Sequence, residues 1–157
     1  MRRSLTLVFT AFLLASVPTV TAAQTLAIDG VRGVGNLNVG GSSEFAVGQT
    51  FTPLGPSLLD FSFWFAASGS ATPYVGEWNE AGNSLTAIVW SGVETSVTAN
   101  AITTFGTGGI PLDPSLEYVA YVTSPGETTL ARTSGDVYPG GRLTQKLGGP
   151  ALAVVGH

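Results

Sequence analysis

Residues 58–67, with the sequence Leu-Leu-Asp-Phe-Ser-Phe-Trp-Phe-Ala-Ala, decide the fold of this 157-residue chain. Side chains of a β-strand point alternately to its two faces, so this run divides into two rows. One row is large and apolar: Leu59, Phe61, Phe63 and Phe65. The other row is mixed: Asp60, Ser62, Trp64 and Ala66. An apolar row beside a mixed row predicts a strand of an antiparallel sheet that faces a core on one side and water on the other.

Strand-length runs rich in β-branched and aromatic residues continue on both sides of this stretch. Further strands are predicted near 26–28 and at 43–51, 74–78, Ser84–Ser91, 97–105, 116–124, 128–133 and 143–147. Residues 79–83 predict the turn of a β-hairpin, whereas 68–73 predict a loop. Short strands spaced by about ten residues, with no helical periodicity between them, predict an all-β fold, an antiparallel β-sandwich of jelly-roll-like type.

The N-terminus has the pattern of an export leader. Arg2 and Arg3 form a basic start, residues 5–15 are apolar, and the small residues at 20–23 suit a signal peptidase. We expect a signal-peptide helix at 1–23 that is cleaved, since its apolar stretch is shorter than the ~20 residues that a membrane-spanning helix needs. The mature protein is therefore predicted to be secreted or cell-surface, with no membrane span.

The remaining chain is expected to form one domain with two less regular ends. Its parts are a Gly-rich lead-in at 24–41, a β-sandwich domain at 42–138 and a weakly patterned tail at 139–157. The tail has two interpretations, a natural short ending or a truncated sandwich. A sandwich that lacked a closing strand would expose a sheet edge that pairs with other chains.

Charge and residue usage exclude several classes of function. Without the two leader arginines, the chain keeps four basic residues against ten carboxylates, a net charge of −6. Nucleic acid is not expected as a partner, because phosphate binding requires clustered Lys and Arg. The chain has no cysteine, and its one histidine is His157, so neither thiol catalysis nor a Ser-His-Asp triad is expected.

Carboxylates leave one enzymatic alternative open. A glycosidase needs two carboxylates placed across a sugar, and Glu77 is the carboxylate with aromatic neighbours. A carbohydrate-active enzyme that uses Glu77 and a second carboxylate is therefore the alternative function. Glu80 is a poor second carboxylate, because it falls in the predicted turn.

No cofactor is expected. A structural calcium ion would need ligands from distant loops, because no calcium-loop spacing joins the candidate carboxylates. Those candidates are Asp29, Asp60, Asp113, Glu117 and Asp136. Asp113, which precedes Pro114, is predicted instead to stabilise a turn.

Aromatic side chains give the candidates for ligand binding, because exposed rings stack on sugar faces. Four residues are candidates: Trp64, Tyr74, Trp78 and Trp90. Trp64 is the clearest, since its neighbours Phe63 and Phe65 take the core face and leave Trp64 on the mixed face. The competing interpretation is that Trp64 packs against an aromatic or β-branched residue of the adjacent strand.

A resemblance rests on four segments. They are Gly-Gln-Thr-Phe-Thr-Pro at 48–53, Leu-Asp-Phe-Ser-Phe-Trp-Phe at 59–65, Tyr-Val-Gly-Glu-Trp-Asn at 74–79 and Leu-Asp-Pro-Ser-Leu-Glu-Tyr-Val-Ala-Tyr at 112–121. Together they resemble a group of bacterial secreted proteins that often carry a PEP-CTERM sorting signal. The resemblance implies an exported, surface-associated or matrix-associated module without an established enzymatic role, and it supplies no functional residues. The sorting segment itself is not found in this sequence.

The sequence therefore predicts a secreted, non-enzymatic structural or binding module of the bacterial cell surface or extracellular matrix. A polysaccharide or another surface protein is the candidate partner, and carbohydrate binding is one candidate role beside a purely structural one. A third hypothesis is a protein that associates with itself through an unpaired edge strand.

Overall fold

The computed structural model describes residues 23–28, 35–40, 46–132, 143–145 and 153–154. Every regular element within these ranges is a β-strand. The strands are β1 (Gln24–Ile28), β2 (Gly35–Gly40), β3 (Val47–Phe51), β4 (Ser57–Ala67), β5 (Gly69–Asn79), β6 (Ser84–Ser91), β7 (Thr95–Val97), β8 (Ala101–Pro111), β9 (Glu117–Thr123), β10 (Glu127–Arg132), β11 (Leu143–Gln145) and β12 (Ala153–Val154). The prediction of an all-β sandwich is confirmed. The expected leader helix lies outside the described residues.

Two sheets pack against each other. In the five-stranded sheet, β4 pairs with β8 along one edge and with β1 and then β10 along the other edge, and β10 also pairs with β2. The seven-stranded sheet has the order β12-β11-β3-β9-β5-β6, and the short β7 lies beside β5. The described pairings are antiparallel except that of β1 with β4, which is parallel. The lead-in thus supplies two strands of one sheet, and the tail supplies two strands of the other.

The core lies between the sheets and is centred on the phenylalanines of β4. Phe61 and Phe65 have no exposed surface, and the ring of Phe105 on β8 lies 5.5 Å from Phe61 and 6.4 Å from Phe65, centroid to centroid. Apolar residues of both sheets complete the core: Val39, Val47, Phe51, Leu58, Phe63, Ala71, Val75, Val97, Leu112, Tyr118, Ala120, Val122 and Leu130. The prediction that the phenylalanine row faces a core is confirmed.

The prediction for Leu59 is wrong. Leu59 is 44% exposed, and Leu58 is the buried residue. The pairing of β4 with β8 is irregular at this point, since Leu58 lies opposite Ile110 while Asp60 lies opposite Gly106. A β-bulge of this kind changes which residues face the core. Strict alternation therefore holds only from Asp60 onward.

The predicted loop at 68–73 is also wrong, because these residues, apart from Ser68, belong to β5. Proline lacks the N–H that a central strand needs, yet Pro73 lies in β5 opposite Val122 of β9. On its other side, β5 pairs with β7 and then with β6, and Gly92 lies between those two strands. The N–H of Gly92 donates to the carbonyl of Pro73 at 2.9 Å. The backbone of Pro73 thus faces an interruption in the neighbouring strand, where a missing N–H does little harm.

Two turns each contain an asparagine whose backbone has a positive φ, in the left-handed region. The predicted hairpin between β5 and β6 is confirmed, with Asn83 at φ +46° and the N–H of Gly82 donating to Asn79 Oδ1 at 3.1 Å. The predicted strand at 97–105 is divided instead into β7 and β8. Asn100, at φ +58°, lies between them, where the chain crosses from one sheet to the other.

Candidate functional site

The four aromatic candidates do not form one site. Trp64 lies on the outer face of the five-stranded sheet, since its neighbours Phe63 and Phe65 are buried in the core. Tyr74 and Trp78 belong to a separate apolar cluster on the outer face of the seven-stranded sheet. Trp90 packs against the core between the sheets. The four aromatic residues therefore occupy three different environments.

Trp64 is part of a row of outward-facing residues that we call the β4–β8 strip. The strip consists of three cross-strand pairs: Trp64 with Ile102, Ser62 with Thr104, and Asp60 with Gly106. Residues directly opposite each other in an antiparallel pair share a face, and alternate residues along a strand are about 7 Å apart. The strip therefore runs for roughly 13 Å along β4 from the carboxylate to the indole.

The apolar end of the strip is partly open to solvent. Trp64 is half-buried, and Ile102, which lies opposite it, is 55% exposed. The β-branched neighbour that the competing interpretation requires is thus present in the adjacent strand. An indole beside an exposed aliphatic side chain provides an apolar surface next to the polar part of the strip.

The polar part of the strip consists of hydroxyl groups and one carboxylate. The hydroxyls of Ser62 and Thr104 are hydrogen-bonded to each other at 2.8 Å. Asp60 is half-buried, and its Oδ1 is buried without a hydrogen-bond partner among the described residues. Gly106 leaves open space opposite Asp60, since a Cβ added there would have no atom within 4 Å. These groups can donate and accept hydrogen bonds beside an apolar surface.

The outer face of the seven-stranded sheet is closely packed. The rings of Tyr74 and Tyr121 stack with centroids 4.9 Å apart and planes 13° from parallel. Trp78 and Tyr121 are each 5% exposed, and Val119 beside them is fully buried. Burial, followed by the neighbouring Tyr74, raises the pKa of Tyr121 to about 12. This cluster presents a packed interior and leaves no open face of the Trp78 indole.

Trp90 closes one side of the core. It lies opposite Val75, and its ring meets that of Phe61 edge-to-face at 6.0 Å and 86°. An added Cβ on Gly92 would lie 2.7 Å from the Trp90 ring, so the chain passes closely over the indole. The packing of Trp90 is that of a core residue at the side of the sandwich.

The carboxylates do not gather in the part of the chain that the structure describes. Glu77 lies opposite Tyr118, whereas Glu117 lies opposite Trp78, so the two glutamates occupy opposite faces of the seven-stranded sheet. Glu80 is exposed in the hairpin turn. Within the described ranges, no three carboxylate or histidine side chains lie close enough to hold a metal ion. A second carboxylate for Glu77 is thus not provided by its nearest strand neighbour.

Asp113 has the turn role that its sequence context predicts. Both the backbone N–H and the hydroxyl of Ser115 donate to its Oδ1, at 2.8 and 2.7 Å. The backbone hydrogen bond, helped by the hydroxyl, lowers the pKa of Asp113. Two other calcium candidates, Asp29 and Asp136, lie outside the described residues.

Comparison of the chain with protein-family models, with curated proteins and with solved structures finds no match. No helix among the described residues is both long and apolar enough to cross a membrane. The site must therefore be interpreted from its own residues.

The candidate site residues that the sequence did not reveal lie on β8. Alternation along β4 already placed Asp60 and Ser62 on the same face as Trp64. Thr104 and Ile102 join them only through the register of β4 with β8, whose strands are separated by β5, β6 and β7. No local sequence signal specifies a register between strands so far apart.

Proposed function

We propose that the protein is an exported, non-enzymatic β-sandwich that binds carbohydrate at the bacterial cell surface or in the extracellular matrix. The β4–β8 strip is the proposed binding site. Export rests on the leader pattern at 1–23. The surface or matrix setting rests on the resemblance to secreted proteins that carry PEP-CTERM signals.

The observation that carries the proposal is the combination of groups in the strip. Trp64 and Ile102 give an apolar surface, and the hydroxyls of Ser62 and Thr104 lie one cross-strand pair away. Sugars have apolar C–H faces and hydroxyl rims, so an aromatic ring beside hydroxyls matches both parts of the ligand. Asp60 extends the polar end, where its carboxylate can accept hydrogen bonds from sugar hydroxyls.

The strip favours binding over catalysis. A glycosidase places two carboxylates roughly 5 to 9.5 Å apart on either side of the bond that it cleaves. Asp60 is the only acidic residue of the strip, and its cross-strand partner is Gly106. The strip thus offers one carboxylate and no partner for it, which supports a binding role.

The test is a screen of purified protein on a glycan array, followed by affinity electrophoresis in the polysaccharides that score. We expect selective binding that Trp64→Ala weakens by about tenfold or more, because loss of a stacked ring removes about 1.4 kcal/mol or more of binding free energy. Ser62→Ala should weaken binding less, since it removes one hydroxyl.

Tyr74→Ala is the matched control, because it removes an aromatic side chain from the outer face of the other sheet. It should leave glycan affinity within about twofold. Loss of binding in Tyr74→Ala but not in Trp64→Ala would place the site on the seven-stranded sheet and contradict the proposal. Absence of binding to every glycan would overturn the proposal.

A further inference from the structure

We infer that the outer edge of β8, over residues 101–106, pairs with the same edge of a second copy of the chain. Among the described strands, β8 pairs only with β4. Alternate residues of an edge strand direct their N–H and C=O groups away from the sheet, and these groups can bind another strand. The inference is independent of carbohydrate binding.

This edge lacks the features that usually prevent strands from pairing. The sequence of residues 101–106 is Ala-Ile-Thr-Thr-Phe-Gly, without a charged residue or a proline. Its register with β4 is continuous from Ala101 to Gly106. Charges, prolines and β-bulges are the devices by which natural proteins protect a sheet edge. Residues 101–106 have none of them.

The other long edge strand is protected. β6 has no charged residue either, but its pairing with β5 is irregular at two places, between Val75 and Gly76 and between Glu77 and Trp78. Bulges increase the local twist and disrupt the outward row of hydrogen-bonding groups. β7, which continues this edge, has only three residues. The edge of β8 is therefore the better surface for adding a strand.

A second copy fits this edge because the edge is complementary to itself. A two-fold axis perpendicular to the sheet at Thr103 or Thr104 makes two β8 strands antiparallel and keeps their outer faces on the same side. With the axis at Thr103, Ile102 lies opposite Thr104 of the second copy, so the exposed isoleucine gains a β-branched neighbour. The two five-stranded sheets then form one continuous sheet.

Charge is compatible with this arrangement. Asp60 is the only charged residue of β4, and β8 has none. With the axis at Thr103, the Asp60 side chains of the two copies lie at opposite ends of the paired segment, so like charges do not face each other. A charged peptide would find no complementary charge on this edge, whereas an identical uncharged edge requires none.

Sedimentation equilibrium of the purified protein over a wide concentration range tests the inference. We expect a reversible dimer, and Ile102→Lys should shift the protein to monomer because it places a charge at the uncharged edge. Ile88→Lys is the matched control, since Ile88 on β6 is 56% exposed and Ile102 is 55% exposed. The control should dimerise like the wild type. A wild type that is monomeric throughout, or dimerisation lost in Ile88→Lys alone, would overturn the inference.

Cysteine cross-linking supplies a second measurement that does not depend on a disruptive variant. The chain has no cysteine, so Thr103→Cys or Thr104→Cys introduces a single thiol near the proposed axis. Residues directly opposite each other have Cβ atoms about 4.5 to 5.5 Å apart, close to the distance that a disulfide spans. At least one of the two variants should form a disulfide-linked dimer under mild oxidation, whereas Ile88→Cys should not. Cross-linking of Ile88→Cys alone would contradict the inference, and circular dichroism checks that each variant is folded.

Discussion

β4 and β5 are both eleven residues long, and each places a tryptophan on the outer face of its sheet, but the two indoles have different surroundings. Trp64 is half-buried, with Ser62 on its own strand and Ile102 opposite it. Trp78 is 5% exposed and belongs to a cluster with Val119 and Tyr121. Alternation decides which face a side chain takes. The residues of the adjacent strands decide whether that face is a surface or a second apolar layer.

The largest expected effect separates the two tryptophans by stability. Trp78→Ala should lower the free energy of unfolding by about 3 to 5 kcal/mol, because it removes a buried indole and leaves a cavity. Trp64→Ala should cost about 1 kcal/mol or less, the size of a cross-strand pair. Urea unfolding followed by circular dichroism measures both. Equal losses would show that the two outer faces are packed alike.

The second effect is a pH dependence of the free energy of unfolding that arises in the buried cluster. Burial and the neighbouring Tyr74 raise the pKa of Tyr121 to about 12, above the value of about 10 that is usual for tyrosine. The folded state therefore holds the phenolic proton more tightly than the unfolded state. The free energy of unfolding should be insensitive to this group well below pH 10 and should fall as pH rises from about 10 to 12, by no more than about 2 kcal/mol.

Tyr121→Phe checks the origin of this slope, because phenylalanine keeps the ring but has no proton to lose. Urea unfolding at a series of alkaline pH values should show a shallower decline for the variant than for the wild type. An unchanged slope in Tyr121→Phe would assign the alkaline loss of stability to other groups.

The third and smallest effect compares one glycine from each outer face. A Cβ added at Gly48 would lie 2.5 Å from the carbonyl oxygen of Ala120 and would overlap the Cβ of Tyr121, whereas a Cβ at Gly106 would meet nothing within 4 Å. Gly48→Ala should therefore cost about 1 to 3 kcal/mol. Gly106→Ala should change stability by no more than about 0.5 kcal/mol. Thermal unfolding of the two variants measures the difference, and a larger loss in Gly106→Ala would reverse our view of the two faces.

Much of the fold was predictable because it follows from local patterns. The row of Phe61, Phe63 and Phe65 faces the core as alternation requires, and the asparagines of residues 79–83 mark the hairpin turn. The prediction failed for Leu59 because a β-bulge depends on the opposing strand, which alternation along one strand does not include. The glycine, serine and proline residues at 68–73 predict a loop, because proline usually interrupts a strand. The compensating interruption lies about twenty residues further along the chain, at Gly92.

The candidate site was predictable only in part. Trp64 could be assigned to the outer face from its immediate neighbours. Trp78 and Trp90 could not be assigned, because the burial of Trp78 depends on β9 and that of Trp90 on the phenylalanine row of the opposite sheet. Pairings between distant strands are set by the whole core, so single-strand alternation cannot specify them.

The connections between the two ends of the chain have a consequence for the order of folding. β2 pairs with β10, and β3 pairs with β9, so strands from the first third of the chain depend on strands from its last third. Contacts between such distant segments form slowly, because a long loop must close before they contribute. A chain that leaves the ribosome or crosses a membrane from its N-terminus would have no partner for β2 until nearly all of it had emerged. For a chain that is exported as we propose, this topology delays closure of the sandwich until the last third of the chain has emerged.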